Sequence, residues 1–406
     1  MDSIIINADL HLHGLYSGGV SERMIPKVIA EQAKLKGLHL IGTADILNSN
    51  WIKLVKEQLS KEGKEKEGLL EHDNGIKFIL QTEVEDLKRV HHIIFFPNFA
   101  KVEELRNAFK KKCKNLDSDG RPNVMLSGEE LAEECIKADC LIGPSHAFTP
   151  WTALFKEYNS IKECYGKFTN KIFFLELGLS ADTNMADRIS ELHNLTFLSN
   201  SDGHSPWPNK LGREFNKLSI EDFSYDSIVK ALKRQGNNKV ILNVGLNPLE
   251  GKYHKTRCIG CLAFFNLNQA IKARWKCPTC GKPIKKGVAD RIAQLADLPE
   301  GKHPPFRPEY KHIIPLSEII ALALEIEAAY STKVQSIWKK FVEKCGSEIS
   351  VLLEKDIAEL AKIEENVAKY INYFREEKIK YIPGGAGVYG KLVSPDKKRE
   401  KQTRLF

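Results

Sequence analysis

Imidazoles and carboxylates recur through the first half of the chain, each beside a short apolar run. Asp9, His11 and His13 close the run at 3–10, and Asp45 follows 38–43. Glu83 follows 76–82, His91 or His92 opens 91–96, His146 follows 140–144, and Asp202 with His204 follows 195–200. Mixed nitrogen and oxygen donors suit Zn²⁺, Mn²⁺ or Fe²⁺, and there are more here than one ion takes, so two or three metals are expected. Clustered divalent ions suit phosphodiester cleavage: one lowers the pKa of a bound water, and together they stabilise the attacking and leaving oxygens. Glu83 is the candidate bridge, because paired metals in such sites lie about 3.5–4 Å apart. Singly, each residue also has a structural reading: Asp45 as a helix N-cap, Glu83 as a surface carboxylate, His146 as a hydrogen-bonded histidine. Their joint position at strand ends is what points to chemistry. No Ser or Cys nucleophile is required.

These donors converge only if the strands do. Residues 24–36, 51–60, 101–112, 128–138 and 225–234 carry helical spacing between the apolar runs. Repeated β-α alternation predicts a parallel sheet, and at this length a closed barrel, whose strand carboxyl ends form one catalytic face. A linker at 243–254 follows, then a cysteine cluster to Lys286, a Pro-rich stretch from His303 to Pro308, and helices. Leu316, Ile319, Ile320, Ala323 and Leu324 stand at i, i+3, i+4, i+7 and i+8, one apolar helix face. Gly346 ends a later helix and Ser347 is placed to cap the next. The helices end near Lys380, and a Gly-rich stretch at 383–390 precedes a charged tail.

The chain has nine cysteines. Cys258-Ile259-Gly260-Cys261, fifteen further residues and Cys277-Pro278-Thr279-Cys280-Gly281 have the spacing of a closed tetrahedral zinc site, which folds a segment instead of catalysing. The other cysteines are scattered, which fits a reducing compartment and not a disulfide framework. Lys272, Arg274 and Trp275 stand between the cysteine pairs, cations beside an aromatic that suit phosphates and bases. The ordinary alternative packs Trp275 inward. Over its 406 residues the chain is +8. Residues 250–406 hold 29 Lys/Arg against 19 Asp/Glu, a net of +10, and residues 1–249 hold 32 against 34, a net of −2. A basic half joined to a mildly acidic one suggests a polyanion grip beside a catalytic part. With 28% charged and 42% hydrophobic residues, a disordered or collagenous chain is excluded. No 18-residue apolar run and no signal-like amino terminus is present, so an intracellular protein without a membrane partner is expected.

Asp9-Leu10-His11-Leu12-His13, Glu83, His92, Ser145-His146 and Ser201-Asp202-Gly203-His204 resemble the motifs of PHP-domain phosphoesterases, whose fold is a distorted (β/α)₇ barrel with a two- or three-metal centre. The resemblance implies His11, His13, Glu83, His92, His146, Asp202 and His204 as ligands, with Asp9 as ligand or orienter. It places Asp202, Glu83, His11 and His13 at the catalytic heart. His92 fits the family better than His91, because it directly precedes the apolar run, and His91 would face the other side of the strand. Many members have Thr-Asp-His where this chain has Ala44-Asp45-Ile46; that His is missing, which leaves Asp45 as the candidate ligand there.

The order of PHP barrel, cysteine knuckle, helices and Gly-rich segment resembles the endonuclease Q family from about residue 3 to 392. Supporting phrases are Gly178-Leu179-Ser180-Ala181-Asp182-Thr183, Lys286-Gly287-Val288-Ala289-Asp290-Arg291-Ile292 and Arg307-Pro308-Glu309-Tyr310. The expected α/β architecture is a PHP barrel at 1–247, a Cys₄ zinc-binding domain at 248–290, a small α-helical domain at 291–382, and a Gly-rich segment and tail at 383–406. The expected cofactors are Zn²⁺ in the knuckle and two or three divalent metals (Zn²⁺, Mn²⁺ or Mg²⁺) in the barrel. A monomeric, nucleoid-associated enzyme of the prokaryotic cytoplasm is expected. The resemblance implies that it would cleave DNA 5′ to a deaminated base (uracil, hypoxanthine, xanthine) or an abasic site, leaving 3′-hydroxyl and 5′-phosphate. Inspecting a base means taking it out of the stack into a pocket; Gly384 and Gly385, with Tyr389 or Tyr310 stacking, are the expected lining. Gln402, Leu405 and Phe406 have the spacing of a sliding-clamp peptide, bacterial or PCNA-type. The alternatives are another PHP-domain nuclease or phosphoesterase, or a catalytically silent nucleic-acid-binding module.

Overall fold

The apolar runs fold as strands: β1 (Ile4–Asp9), β2 (Leu40–Asp45), β3 (Leu70–Glu71), β4 (Lys77–Glu85), β5 (His91–Phe96), β6 (Leu141–Pro144), β7 (Phe174–Glu176), β8 (Thr196–Leu198), β9 (Phe215–Ile220) and β10 (Lys239–Gly245). Two knuckle strands, β11 (Arg257–Cys258) and β12 (Ile284–Lys285), intervene before β13 (Glu309–His312). The structure is a computed structural model that describes residues 3–59 and 68–396. It divides into two units, 1–248 with 287–312 and 249–286 with 313–406.

In the first unit one sheet runs β13-β10-β9-β1-β2-β4-β5-β6, with β3 beside β4. The β1–β2 and β2–β4 pairs are parallel, as the alternation predicts. The sheet is mixed, however: β5 is antiparallel to β4, β6 to β5, and β9 to both β1 and β10. Residues 86–90 are too few for a helical crossover, so β5 must return as a hairpin. The sheet curls, and the parallel pair β7–β8 fills its open side. Phe174 of β7 abuts Gly143 of β6, and Asn243 of β10 donates its amide to Phe197 O of β8 at 2.9 Å. Ile6, Ala8, Leu40, Ile79, Ile93, Phe95, Leu198 and Leu218 meet in one buried cluster. β2 and β5 are buried along their whole length, which is why they read as continuous apolar runs.

Helices Pro26–Lys36, Ser49–Leu59, Phe99–Phe109, Gly128–Lys137 and Tyr225–Lys233 occupy the expected stretches. Residues 287–312, contiguous with the knuckle and helices in sequence, return to the first unit. Helix Val288–Leu295 is tied there by Arg291, which donates to Phe155 O and Tyr158 O. Arg307 forks onto Asp187 and delivers the chain into β13.

In the second unit β11 and β12 pair antiparallel, and Cys258, Ala270, Cys277 and Ile284 form a small core with Phe265 and Trp275. Helices Leu316–Ala323, Thr332–Cys345, Glu348–Leu353, Ile357–Ala361 and Glu365–Arg375 follow. Ser347 caps its helix by accepting from Ser350 N, and Gly346 takes φ 89°, both as the sequence predicts. The buried Glu348 accepts from Trp338 Nε1 (2.6 Å) and Leu316 N (3.2 Å), joining three helices. The Gly-rich turn lies between the antiparallel strands β14 (Lys380–Ile382) and β15 (Lys391–Val393). Among the described residues no helix is long and apolar enough to cross a membrane.

Candidate metal centre

Beyond the carboxyl end of β1, His11 and His13 turn into the mouth of the curled sheet, where Glu83 of β4 meets them. His11 Nε2 lies 3.6 Å from Glu83 Oε1, and His13 Nε2 lies 3.4 Å from Glu83 Oε2. Asp202 approaches from the other side, its Oδ1 3.2 Å from His13 Nε2 and 3.9 Å from His11 Nε2. The second half of Glu83's surroundings is His146 Nε2, 3.1 Å from Oε1, and His91 Nδ1, 3.2 Å from Oε2. Glu83 therefore stands between two donor groups, one with His11, His13 and Asp202, the other with His91 and His146. His204 flanks the first, its Nδ1 3.6 Å from Asp202 Oδ1.

Three observations fit these residues to divalent cations. First, His11 Nε2, His13 Nε2, Glu83 Oε1 and Asp202 Oδ1 are buried and have no hydrogen-bond partner among the described residues, although both imidazole nitrogens lie within 3.9 Å of the two carboxylates. Groups like these are costly to bury unless something binds them. Second, each inner imidazole is clamped at its far nitrogen. Glu176 lies 3.0 Å from His11 Nδ1 and also accepts from His146 N at 2.8 Å. Asp45 lies 3.1 Å from His13 Nδ1 and accepts from Gly14 N and Ser17 Oγ. A carboxylate behind a histidine fixes the tautomer that leaves the inner nitrogen free for a metal. Third, the charge is out of balance. Burial pulls the His11 imidazole down, but Glu176 and Glu83 outweigh it and raise it to about 9. Burial pushes Glu83 and Asp202 up, but the surrounding histidines hold both well below the usual carboxylate range. Protons on imidazoles balance charge that divalent ions would neutralise.

Three residues around the centre, Ala44, His146 and Asp202, have φ of 64°, 26° and 47°, in the left-handed region that non-glycine residues seldom adopt.

The expected residues do not all join the centre. Asp9 ties loops together, its oxygens accepting from Ser201 N and Gly212 N at 3.0 Å, and burial raises it to about 6. Asp45 orients His13 through the Nδ1 contact. The preference for His92 over His91 is corrected by register. β4 and β5 pair antiparallel with Glu83 opposite Ile93, and directly opposed residues share a face. His91, two residues before Ile93, therefore lies on the Glu83 side, and His92 points away to Tyr165 Oη (2.7 Å) and Asp86 Oδ2 (3.2 Å).

Sequence reasoning missed Glu176 and Arg121. Glu176 ends β7, so the strand-end rule that found the other donors would have found it. Arg121 lies in the loop before helix Gly128–Lys137, and its Nη1 is 3.3 Å from Glu83 Oε2; nothing in its local sequence marks it. Gly120 lets that loop pass, since a Cβ there would sit 2.2 Å from Ser17 Oγ and 2.3 Å from Asp45 Oδ2.

His91→Ala and His92→Ala should separate cleanly. We expect His91→Ala to lower metal content, read by elemental analysis, at little cost in stability. His92→Ala takes the imidazole from the buried Tyr165 hydroxyl and from Asp86 Oδ2, whose Oδ1 still accepts from Lys88 N and Val90 N, and should cost about 2–4 kcal/mol, read by urea denaturation, with metal retained. Metal loss in His92→Ala and not in His91→Ala would restore the opposite assignment.

In the second unit Cys258, Cys261, Cys277 and Cys280 place their sulfurs within 4.8 Å of one another. Burial pushes the Cys277 thiol up, but amides of the Cys280 and Thr279 backbone and neighbouring sulfurs outweigh it, lowering it to about 6. Such a cluster fits a thiolate-bound metal. Trp275 packs against the knuckle core with Lys286 Nζ 5.1 Å from its ring centroid, while Lys272 and Arg274 are exposed. The Gly-rich turn bonds within its own unit: Gly384 N donates to Leu249 O, Gly387 N to Lys252 O and Gly390 N to Glu250 O, and Gly385 N donates to Val388 O. The amides of Gly384 and Gly385, the expected pocket lining, are thus engaged, and Tyr389 stands 65% exposed beside them. Tyr310, on β13 of the first unit, has a buried hydroxyl and a half-buried ring. Gln402, Leu405 and Phe406 lie outside the described residues.

A curled mixed sheet with a histidine–carboxylate centre at its mouth has the donor set of a metal-dependent hydrolase. The family model "MJ0043 C-terminal domain" matches residues 315–378. The chain is similar to the lesion-specific endonuclease PfuEndoQ of Pyrococcus furiosus, with TM-score 0.92 and 47% identity, over 97% of this chain and 96% of that one. Endonuclease Q bound to a 27-mer duplex with an abasic lesion at its active site matches with TM-score 0.91 and 47% identity, over 97% of each chain. Protein MJ0043 of Methanocaldococcus jannaschii is 49% identical over 262 residues, 63% of this chain but 32% of that protein, so the match spans about a third of that relative. YqxK of Bacillus subtilis is 31% identical over 95% of this chain and 99% of its own. The chain belongs to the endonuclease Q family.

Proposed function

We propose that this protein is a DNA-repair endonuclease that cleaves the phosphodiester 5′ to uracil, hypoxanthine, xanthine or an abasic site, leaving 3′-hydroxyl and 5′-phosphate. The observation that carries the reading is the set of converging donor atoms around Glu83, buried and without a hydrogen bond among the described residues, in a chain 47% identical to a lesion-specific endonuclease. Two or three divalent ions (Zn²⁺, Mn²⁺ or Mg²⁺) held by His11, His13, Glu83, His91, His146, Asp202 and His204 would supply Lewis acidity and an activated water. The protein's share is positioning. Glu176 and Asp45 hold the imidazoles, and Arg121, partly exposed beside Glu83, is placed to take a charge on the scissile phosphate. Trp151 and Trp207, 49% and 44% exposed, offer faces for bases or sugars of an opened strand.

In the second unit Zn²⁺ on the four cysteines would fold the knuckle, leaving Lys272 and Arg274 to grip phosphates. Tyr389, with Tyr310 as the other candidate, would stack on the extruded base, with Gly384 and Gly385 shaping the turn. Gln402, Leu405 and Phe406 would bind a sliding clamp, and the enzyme would act as a monomer at the nucleoid.

The test is incubation of purified protein and Mn²⁺ or Mg²⁺ with duplexes holding one uracil, one inosine, one abasic site or no lesion. The expected result is a single nick 5′ to each lesion, with an end that a polymerase extends, and an intact normal duplex. Cleavage of the normal duplex alone would exclude lesion specificity. Tight binding without any product would favour the silent module.

A further inference from the structure

A second concave site lies in the first unit, at the other end of the sheet from the metal centre. Lys239, at the start of β10, is level with Ser219 of β9, which is level with Ile5 of β1, whereas the metal donors lie beyond Asp9. There a cavity of about 420 Å³ opens, lined among others by Arg234, Asn238, Lys239, Phe306 and Arg307. The volume lies in the range of small-ligand sites.

Its charge is one-sided, and among the described residues no carboxylate lines it. Arg307 is neutralised by Asp187, which also receives His303. Glu221, next to Gly236, is engaged by the backbone and side chain of Asn237. Arg234 is different. Its Nη1 donates to Thr196 Oγ1 and its Nη2 to Asn194 O, both at 2.8 Å, and no ion pair to a carboxylate forms among the described residues. The guanidinium lies 4.1 Å from the centroid of Phe306, a ring 43% exposed. Lys239 adds an exposed ammonium at the rim. A partly buried guanidinium without a counter-ion is a standing cost to the fold, and a bound anion relieves it. Guanidinium and ammonium beside an open aromatic face and the apolar walls of Val240, Pro305 and Pro308 match a phosphate joined to a planar base.

We propose that this cavity binds the phosphate of a nucleotide unit, with Arg234 and Lys239 on the phosphate and Phe306 against the base. A free nucleotide and a nucleotide within a DNA strand share this chemistry.

Calorimetric titrations with dAMP, inorganic phosphate and a lesion-free single-stranded oligonucleotide test it, on wild type, Arg234→Gln, Lys239→Gln and His13→Ala. We expect dAMP, the oligonucleotide or both to bind His13→Ala as they bind wild type. Lys239→Gln should weaken that binding about tenfold, and Arg234→Gln by at least as much. Lys239 is exposed, so its variant keeps the test valid should Arg234→Gln unfold the turn after helix Tyr225–Lys233. Response of dAMP alone identifies a free nucleotide as the source, and response of the oligonucleotide alone identifies a strand. Affinities that neither variant changes, loss in His13→Ala, or phosphate binding as tightly as dAMP would overturn the proposal.

Discussion

Glu83→Gln is expected to slow cleavage on the order of 10³-fold or more and to strip metal from the centre. The change is nearly isosteric, so packing is kept and only charge and donor pattern alter. The consequences are large because Glu83 touches both donor groups: its two oxygens lie 3.1–3.6 Å from His11, His13, His91 and His146. An amide offers one acceptor and one donor, so one of the two groups would face N–H instead of a lone pair. Removing Glu176 is milder by comparison, since outer carboxylates of this kind change affinity or activity about 10–100-fold. The checks are single-turnover cleavage of a uracil duplex and metal content of the dialysed protein. Glu83→Gln that kept its metal and cut within tenfold of wild type would remove Glu83 as the bridge.

The sequence made the centre legible where a donor's place follows from its own strand. His11, His13, Glu83, His146, Asp202 and His204 stand at or just beyond strand ends, and strand ends of a curled sheet meet at one mouth. It misled where the answer depends on a partner strand. The choice between His91 and His92 turns on the β4–β5 register, set by the hairpin at 86–90, and adjacency to the apolar run carries no information about it. Asp45 shows the same limit differently, because a carboxylate that holds a histidine and one that holds a metal have the same local sequence. Arg121 reaches Glu83 from a loop with no periodicity at all. The return of residues 287–312 to the first unit depends on Arg291 and Arg307 finding carbonyls and a carboxylate more than a hundred residues back in the chain. Contiguous reading cannot show that. The knuckle was the opposite case, since spacing within two short turns fixes its geometry.

Cys258→Ser should cost the second unit its folded knuckle. Four buried residues, Cys258, Ala270, Cys277 and Ile284, form the core of that segment, too little apolar surface to order it without a metal. Binding of a structural zinc contributes about 10–16 kcal/mol in comparable small sites, and that free energy is folding free energy. Cys258 is buried between β12 and the other sulfurs, with its Sγ 3.4 Å from Cys280 Sγ. A hydroxyl there is a poor zinc ligand, and the Gly260 amide, 3.3 Å from the sulfur, does not make up for the lost thiolate–metal bond. The disorder should spread along the backbone bonds that run from 249–255 to the Gly-rich turn. At Gly384 and Gly390 those bonds need bare glycine, because a Cβ would come within 2.5 Å of Gly251 O and 2.4 Å of Leu249 O. Trypsin should therefore cut both the knuckle and the turn carrying Tyr389 in Cys258→Ser while the first unit resists, and zinc content should fall by one equivalent. Cleavage of a uracil duplex should then weaken through substrate binding, with a raised KM, more than through kcat. A Cys258→Ser protein that kept its zinc and resisted trypsin at both segments would show that the knuckle folds on its own apolar core.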